Sequence, residues 1–509
     1  MQKTQVFDIL NQIYKNNMET QGSEIDEEED NKVEIQTCHD FMSLHANQFQ
    51  ILTKPTSFKD FMQKQNQLIT VSGTIVDMFE PEIEDVIYKG NDSTVYCMYK
   101  GLASDEFFQS MGDAQNMGVE YRDMNVMLVL LDLGHGKANE EPWSVLNEKQ
   151  TKLRIESNKI PMLVRSFESR ENYKIGQKIE ISGVLDLDMP YEEQNDPESN
   201  NLSSYMDYYR RDRIFNMLTF NIKPFSFQQT LDNEQVKQVT DCFLSLLENV
   251  FGDKNAALAF VIGLVTRNHN KVGTESLEYL NINLFNMTQE IMDKLIEVLL
   301  QSDLDFQDLK VNATNLKENI ISERDTQYGL MVLNQIYPGS SVNYLLSEFE
   351  LSEGKLSEKA TVNILKLKEM ITQKQILVNF FQSIIRFDLN TSVIGLSKGK
   401  SIFPYDLKYK LNSQETGDNI MNIDVSLLAH LSDALDHLRE RLRKIGIEDN
   451  EYIQGRYVDA RKKDNKFNQH DFGCIIKLAK HIAVIKGLDL ISNSTYDQAE
   501  EFWKRCQSN

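Results

Sequence analysis

The residue types that hold a nucleotide occur in this chain at nearly the spacing the chemistry needs. A phosphate-binding loop has four residues between its glycines, then a Lys and a Ser or Thr at a helix start. Backbone N–H groups and the Lys then surround the phosphates. Gly395-Leu396-Ser397-Lys398-Gly399-Lys400-Ser401 has the composition, but only three residues separate its glycines. Pro404 also bars the long helix that would start at Lys400. The stretch reads as a turn after a strand.

A second place for such chemistry is residues 279–300, YLNINLFNMTQEIMDKLIEVLL. Alternation from Leu280 to Phe285 predicts a buried strand. Thr288 is placed to cap a helix carrying Ile291, Leu295, Val298 and Leu299 on one face. A strand running straight into a helix is where an α/β domain holds phosphates. The joint here is Asn286-Met287-Thr288, no glycine lies between Gly273 and Gly329, and Lys294 is too far along the helix. The scaffold is legible without the phosphate chemistry.

Metal and acid–base chemistry fare no better. Ser347-Glu348 follows a predicted strand at 342–346, where a metal-holding Asp-Glu pair would stand. One carboxylate cannot hold Mg²⁺ without phosphate oxygens to complete the octahedron, so Glu348 reads as a surface glutamate. His430 and His437 are seven apart on a predicted helix with no third ligand nearby, and read as helix surface. Neither GxSxG nor HExxH occurs. The expectation is a protein without catalytic residues, metal or cofactor.

The elements that would position these residues follow from the whole chain. Its 509 residues suggest two to four domains, and 41% hydrophobic content supports real cores. A net charge of −23 argues against tight binding to nucleic acid, which needs clustered Lys and Arg. Cys38, Cys97, Cys242, Cys474 and Cys506 form no CxxC pair, which disfavours zinc ribbons and disulfide frameworks. Nothing resembles a signal peptide, and no apolar run approaches about 18 residues. A soluble intracellular protein with no membrane partner is expected.

In chain order, residues 1–67 read as a short amphipathic helix (Val6, Ile9, Leu10, Ile13) and the acidic run EIDEEED at 24–30, a linker or a docking tail. Residues 68–190 are rich in strands, at 68–79, 93–101, 124–134, 162–167 and 178–187, with a polar loop at 134–159. Short strands with interior glycines such as Gly73 suggest an OB-like β-barrel. Tyr96, Tyr99 and Tyr173 could serve single-strand binding, but acids at 77–85 crowd the region and favour barrel core and protein contact. Residues 191–232 read as a linker.

Residues 233–415 follow as an α/β domain with strands at 280–285, 306–311, 342–346, 393–396 and 407–411. Helices are predicted at 234–251, 254–266, 358–371 and 375–385, giving a mostly parallel sheet covered by helices. Residues 416–509 read as a helical end, with helices at 425–444, 472–486 and 496–505. Thr495 and Gln498 are spaced as a capping box for the last.

Three stretches, at residues 76–82, 173–188 and 458–503, together resemble one family, the minichromosome maintenance (MCM) complex-binding proteins. Val76-Asp77-Met78-Phe79-Glu80-Pro81-Glu82 is similar to a family segment with the same order of Asp, Met, Phe, acid and Pro. Residues 173–188 resemble its strand-turn-strand. Residues 458–503 resemble its C-terminal part, with Arg461-Lys462-Lys463-Asp464, Leu478, Ala479, Ala483 and Trp503 at the same spacing. The resemblance covers most of residues 68–505.

That family is distantly similar to the MCM helicase subunits, which pair an OB-containing domain with an AAA+ ATPase module and a helical lid. The resemblance implies a multidomain α+β fold: an OB-like barrel, a degenerate AAA+-like module and a lid-like C-terminus. Ser397 would fall near the polar sensor of the fourth strand, and His470 near a lid arginine. It also implies a nuclear, non-enzymatic partner of MCM subunits, associated with assembly and stabilisation of MCM complexes. Release from chromatin during DNA replication and sister-chromatid cohesion are further associations of the family. No ATP and no direct nucleic acid are expected as ligands. Asp77, Met78, Phe79 and Pro81 are the expected partner-contact residues. A single-stranded nucleic-acid-binding protein and a divergent ATPase stand as the alternatives.

Overall fold

The computed structural model describes residues 58–64, 68–79, 81–89, 98–99, 117–132, 159–166, 170–186, 215–224, 231–266, 271–272, 275–276, 278–324, 331–332, 334–339, 342–351, 356–380, 383–411 and 425–507. The expected N-terminal helix, the acidic run at 24–30 and the loop at 134–158 lie outside the described residues. The chain is mixed α/β and divides into two compact units. One comprises residues 1–225 with 323–333, the other 226–322 with 334–509. Among the described residues no helix is long and apolar enough to cross a membrane.

The first unit holds a short helix α1 (Phe58–Gln63) and a seven-stranded sheet. Its strands are β1 (Leu68–Met78), β2 (Glu82–Lys89), β3 (Met98–Tyr99), β4 (Met117–Asp132), β5 (Lys159–Ser166), β6 (Lys178–Asp186) and β7 (Phe215–Pro224). β1 pairs antiparallel with both β4 and β6, β5 runs parallel to β7, and β6 pairs with β7. Ile69, Val71 and Ile75 of β1 and Met127, Val129 and Leu131 of β4 face one core at the period of two that a strand imposes. Tyr173 belongs to that core.

Two local features of this unit follow from its glycines. Gly73 lies against β4, where a Cβ would stand 2.6 Å from the Leu130 carbonyl oxygen. Gly176, with φ 89°, makes the tight turn expected before β6, and its N–H donates to the Ile75 carbonyl at 2.7 Å. β7 corrects the linker reading of residues 191–232. The polar, tyrosine-rich lead-in masked the alternation in FNMLTFNIKP, of which Met217, Thr219 and Ile222 are buried.

The hairpin β12 (Glu323–Arg324) and β13 (Met331–Val332) also belongs to the first unit, although its sequence falls inside the predicted α/β domain.

The second unit opens with α2 (Asn233–Phe251) and α3 (Lys254–Val265). Asp232 caps α2, its own N–H donating in return to the Gln235 side chain, and Gly252 ends it at φ 63°. After the short pair β8 (Lys271–Val272) and β9 (Glu275–Ser276) comes a five-stranded, all-parallel sheet. Its members are β10 (Ile282–Phe285), β11 (Phe306–Lys310), β14 (Asn343–Ser347), β17 (Val393–Ser397) and β18 (Leu407–Lys410). They lie in the order β11-β14-β17-β10-β18. Each matches a predicted strand to within two residues at either end. Continuous burial of β10, β14 and β17 fits a parallel sheet covered on both faces.

Helix α4 (Gln289–Leu300) follows β10, and α5 (Glu358–Gln373) follows β14. The helix expected at 375–385 is instead the hairpin β15 (Gln375–Phe380) and β16 (Ser383–Asp388). Lys374, at φ 57°, ends α5, and the run Ile376-Leu377-Val378 suits a strand.

The C-terminal helices are α6 (Leu431–Leu442), α7 (Asn450–Lys463), α8 (Gln469–Ile485) and α9 (Asn493–Gln507). A short strand pair, β19 (Gly446–Ile447) and β20 (Leu490–Ile491), lies between them. The single helix expected at 425–444 begins as a 3₁₀ turn over 425–430. The start of α9 is also earlier than the expected Thr495 cap: the Thr495 N–H donates to Ser492 Oγ at 3.3 Å. These helices share one core with the parallel sheet, in which Leu435, Leu438, Ile475, Leu478, Ile482 and Phe502 pack with Leu284 and Tyr409. The boundary expected at 415/416 therefore separates no compact unit.

Candidate functional site at the carboxyl edge of the parallel sheet

In an open parallel sheet, ligands bind outside the carboxyl ends of the strands, where the strand order reverses. In the second unit that place is the end of β10 with its neighbours β17 and β18. Asn286 follows β10 in the left-handed region, φ 66°, a conformation that Asn tolerates better than most residues. Its side chain donates to the Leu411 carbonyl at 2.9 Å. The Met287 N–H donates to the Ser397 carbonyl at 3.2 Å. Thr288 caps α4 as expected, its Oγ accepting from the Ile291 N–H at 3.3 Å. A backbone N–H that would face a phosphate is thus committed to the chain's own β17.

Charge at this joint points the same way. Glu290 lies in the first turn of α4, where a helix dipole would otherwise favour a phosphate. Lys294 is ion-paired to Glu290 at 3.0 Å.

Glu348, expected on the surface, is 7% exposed. Its carboxylate accepts from the Ser401 hydroxyl and, at 3.0 Å, from the Ile402 N–H. Burial raises its pKa, and those two hydrogen bonds hold it partly back. The carboxylate at the end of β14 therefore clamps the loop after β17. Ser397 is buried between Asn283, whose Nδ2 donates to its hydroxyl at 3.2 Å, and the Gly399 carbonyl, to which it donates at 2.7 Å. The near-miss glycine motif is the turn after a strand that its spacing implies. Gly395 lies under Tyr405, where a Cβ would stand 2.4 Å from the ring.

The other candidate residues are scattered. Asp77 is fully buried, Phe79 is 6% exposed, Met78 is half-buried and Pro81 is exposed, all in the first unit. His437 corrects the surface reading: it is buried, with Nε2 3.0 Å from Asn233 Oδ1 at the start of α2. His470 is exposed near the start of α8, and His430 is exposed ahead of α6. Among the described residues no three His, Cys, Asp or Glu side chains gather to hold a metal. Sequence reasoning missed the Glu348–Ser401 clamp and the Tyr405 contact. The one usable signal was Gly395 inside a strand, which marks a close approach.

Fold and edge together define a two-unit α/β protein whose parallel sheet closes its own switch point with side chains and carbonyls. Residues 135–508 match the family described as mini-chromosome maintenance replisome factor, and the chain belongs to that family. It is 24% identical over 325 residues to UPF0616 protein C1687.04 of Schizosaccharomyces pombe, covering 63% of this chain and 62% of that protein. It is 20% identical over 375 residues to the mini-chromosome maintenance complex-binding protein of Drosophila melanogaster, covering 67% and 61%. For the human protein of that name the identity is 22% over 270 residues, covering 50% and 42%. The chain thus spans less than two thirds of these relatives' length. Residues 76–82, which carry part of the resemblance, lie outside the family match.

Proposed function

We propose that this chain is a non-enzymatic binding partner of the MCM helicase subunits, resembling a subunit without its ATP site. The observation that carries this reading is the joint at 286–288. Met287 gives its N–H to Ser397, Asn286 gives its side chain to Leu411, and Glu290 brings negative charge to the helix start. The curated Drosophila and human relatives are named for binding the MCM complex.

Strand pairings support the architectural half of the proposal. In the first unit β1 pairs with both β4 and β6, and these connect through β5 and β7. Those pairings support the OB-like part of this proposal. In the second unit a parallel sheet with its first strand flanked by two others, backed by C-terminal helices, suits a degenerate AAA+-like module with a lid. Such a mimic would shield a subunit face, or occupy a ring position, without completing a motor. Its effect would come from differential affinity for free and ring-bound subunits. Assembly and stabilisation of MCM complexes, their release from chromatin, a role in cohesion and a nuclear location belong to this proposal.

The test is affinity purification of the full chain from nuclear extract with nuclease present and ATP depleted. Recovery of one or more MCM subunits is expected. Recovery of none would overturn the reading. Calorimetry with ATP and Mg²⁺ tests the closed joint separately, and micromolar binding would refute it.

A further inference from the structure

The Glu348 clamp has a product on the outside of the molecule. It holds the loop at 397–405, in which Lys398, Lys400 and Pro404 are exposed and Ile402 is 40% exposed. The loop is fixed from beneath. The Phe403 N–H donates to Ser401 Oγ at 3.0 Å, and the Phe403 ring is buried edge-on to Tyr405, with centroids 6.4 Å apart. Lys398 Nζ lies 5.8 Å from the centre of the Phe349 ring. The pairing of β17, β10 and β18 sets Ser397, Phe285 and Lys410 side by side in one row. Lys410 is exposed, about 10 Å across the sheet from the Lys398 loop at the usual strand spacing.

No described residue forms an ion pair with Lys398, Lys400 or Lys410. Among the described residues, acids at this edge are engaged elsewhere: Glu348 in the clamp, Glu290 with Lys294, and Glu350 accepting from Asn312.

We propose that this edge is a docking surface for an acidic peptide segment of a partner protein. The segment would carry carboxylates about three residues apart in extended form, and one apolar side chain to lie on Ile402. Three lysines share one edge in a chain of net charge −23. Beyond a Debye length of about 8 Å the surplus negative charge is screened, so the local sign decides what docks. A loop held rigid by a buried carboxylate also loses little freedom on binding. The chemistry favours peptide over single-stranded nucleic acid. Phe285, Phe403, Tyr405 and Tyr409 are buried, so the edge offers none of their rings to a base. Its cations are lysines, without the guanidinium fork suited to phosphates. The inference goes beyond the MCM reading and does not depend on it.

The experiment is fluorescence anisotropy of the full chain with a fluorescein-labelled heptapeptide of glycines carrying two glutamates three residues apart and one leucine between them. Saturable binding is expected, weakened at least about tenfold in the Lys398→Glu/Lys400→Glu/Lys410→Glu variant and by raised salt. Circular dichroism of the variant establishes that it is folded, as exposed positions allow. Ile402→Ala, with the charges intact, is expected to weaken the leucine-containing peptide but not an all-glutamate one. Absent binding, equal binding by the triple variant, or tighter binding of an oligothymidylate than of the peptide would each overturn the proposal.

Discussion

The Asp77 carboxylate and the Met331 main chain are bonded across 254 positions of sequence, with the Met331 N–H donating to Oδ2 at 3.0 Å. Oδ1 accepts from the Met78 N–H at 2.9 Å. Asp77 follows a register shift in β1, between Ile75 and Asp77, and is fully buried. The shift leaves Val76 out of the ladder with β4 while Asp77 stays paired opposite Leu128, and the Asp77 oxygens satisfy main-chain donors of its own strand and of the β12–β13 hairpin.

Asp77→Ala leaves those donors without their acceptor. A loss of about 1–3 kcal/mol in urea unfolding is expected, the usual cost of an unsatisfied buried group. Asp77→Asn keeps a carbonyl acceptor and is expected to lose less. An Ala variant as stable as the parent would show that the bond contributes nothing.

Phe79 and Pro81 are expected to separate in their effects. Phe79 is 6% exposed and its N–H donates to the Val126 carbonyl at 2.9 Å, so Phe79→Ala should cost about 3–5 kcal/mol. Pro81 is exposed, and Pro81→Ala should change stability by no more than about 0.5 kcal/mol. Partner recovery lost in Pro81→Ala at unchanged melting temperature would identify a contact residue. Both variants should be melted and used in co-purification.

Gly395 and Tyr405 form a second pair with opposite expected signs. Gly395→Ala drives a methyl into the Tyr405 ring and should cost about 1–3 kcal/mol. The buried Tyr405 hydroxyl makes no hydrogen bond among the described residues, so Tyr405→Phe should be neutral or slightly stabilising. Thermal melts of both variants decide this, and a Tyr405→Phe loss above about 1 kcal/mol contradicts it.

Stability should fall on acidification through His481. This residue is fully buried in α8; its Nδ1 lies 2.7 Å from the Lys477 carbonyl and its Nε2 3.2 Å from Thr266 Oγ1. Burial lowers its pKa to about 4, below the ordinary 6.5. The unfolded chain therefore binds the proton more readily than the folded one. The contribution is complete above about pH 6.5 and is lost as pH falls toward 4, at most roughly 3 kcal/mol. His481→Gln should flatten the slope of stability against pH in that window. An unchanged slope would assign the acid sensitivity to other groups.

The strands of the parallel sheet were legible because burial on both faces selects short apolar runs bounded by polar turns. Ile282–Phe285, Asn343–Ser347 and Val393–Ser397 are such runs. The cap at Thr288 was legible for a similarly local reason: a hydroxyl three residues ahead of an N–H needs no distant partner. Gln375–Phe380 was misread because short apolar runs carry no period that tells a buried strand from a helix. The left-handed Lys374 that separates α5 from β15 is a backbone angle that residue type does not announce.

The sequence by itself determined the family, the parallel sheet's strands and the absence of glycine from the phosphate joint. All three rest on residue type and on spacing along the chain. Only the tertiary structure decided what fills that joint. The Met287 N–H meets Ser397 and Glu348 meets Ser401 across strands that lie adjacent only in the folded sheet, and Tyr405 folds back from the following loop onto Gly395. The tertiary structure likewise turned Asp77 and Phe79 inward, through a bulge and a hairpin more than two hundred residues downstream. Spacing records neighbours along the chain. Hydrogen-bond partners and burial are set by neighbours in space, and these residues take their roles from the second kind.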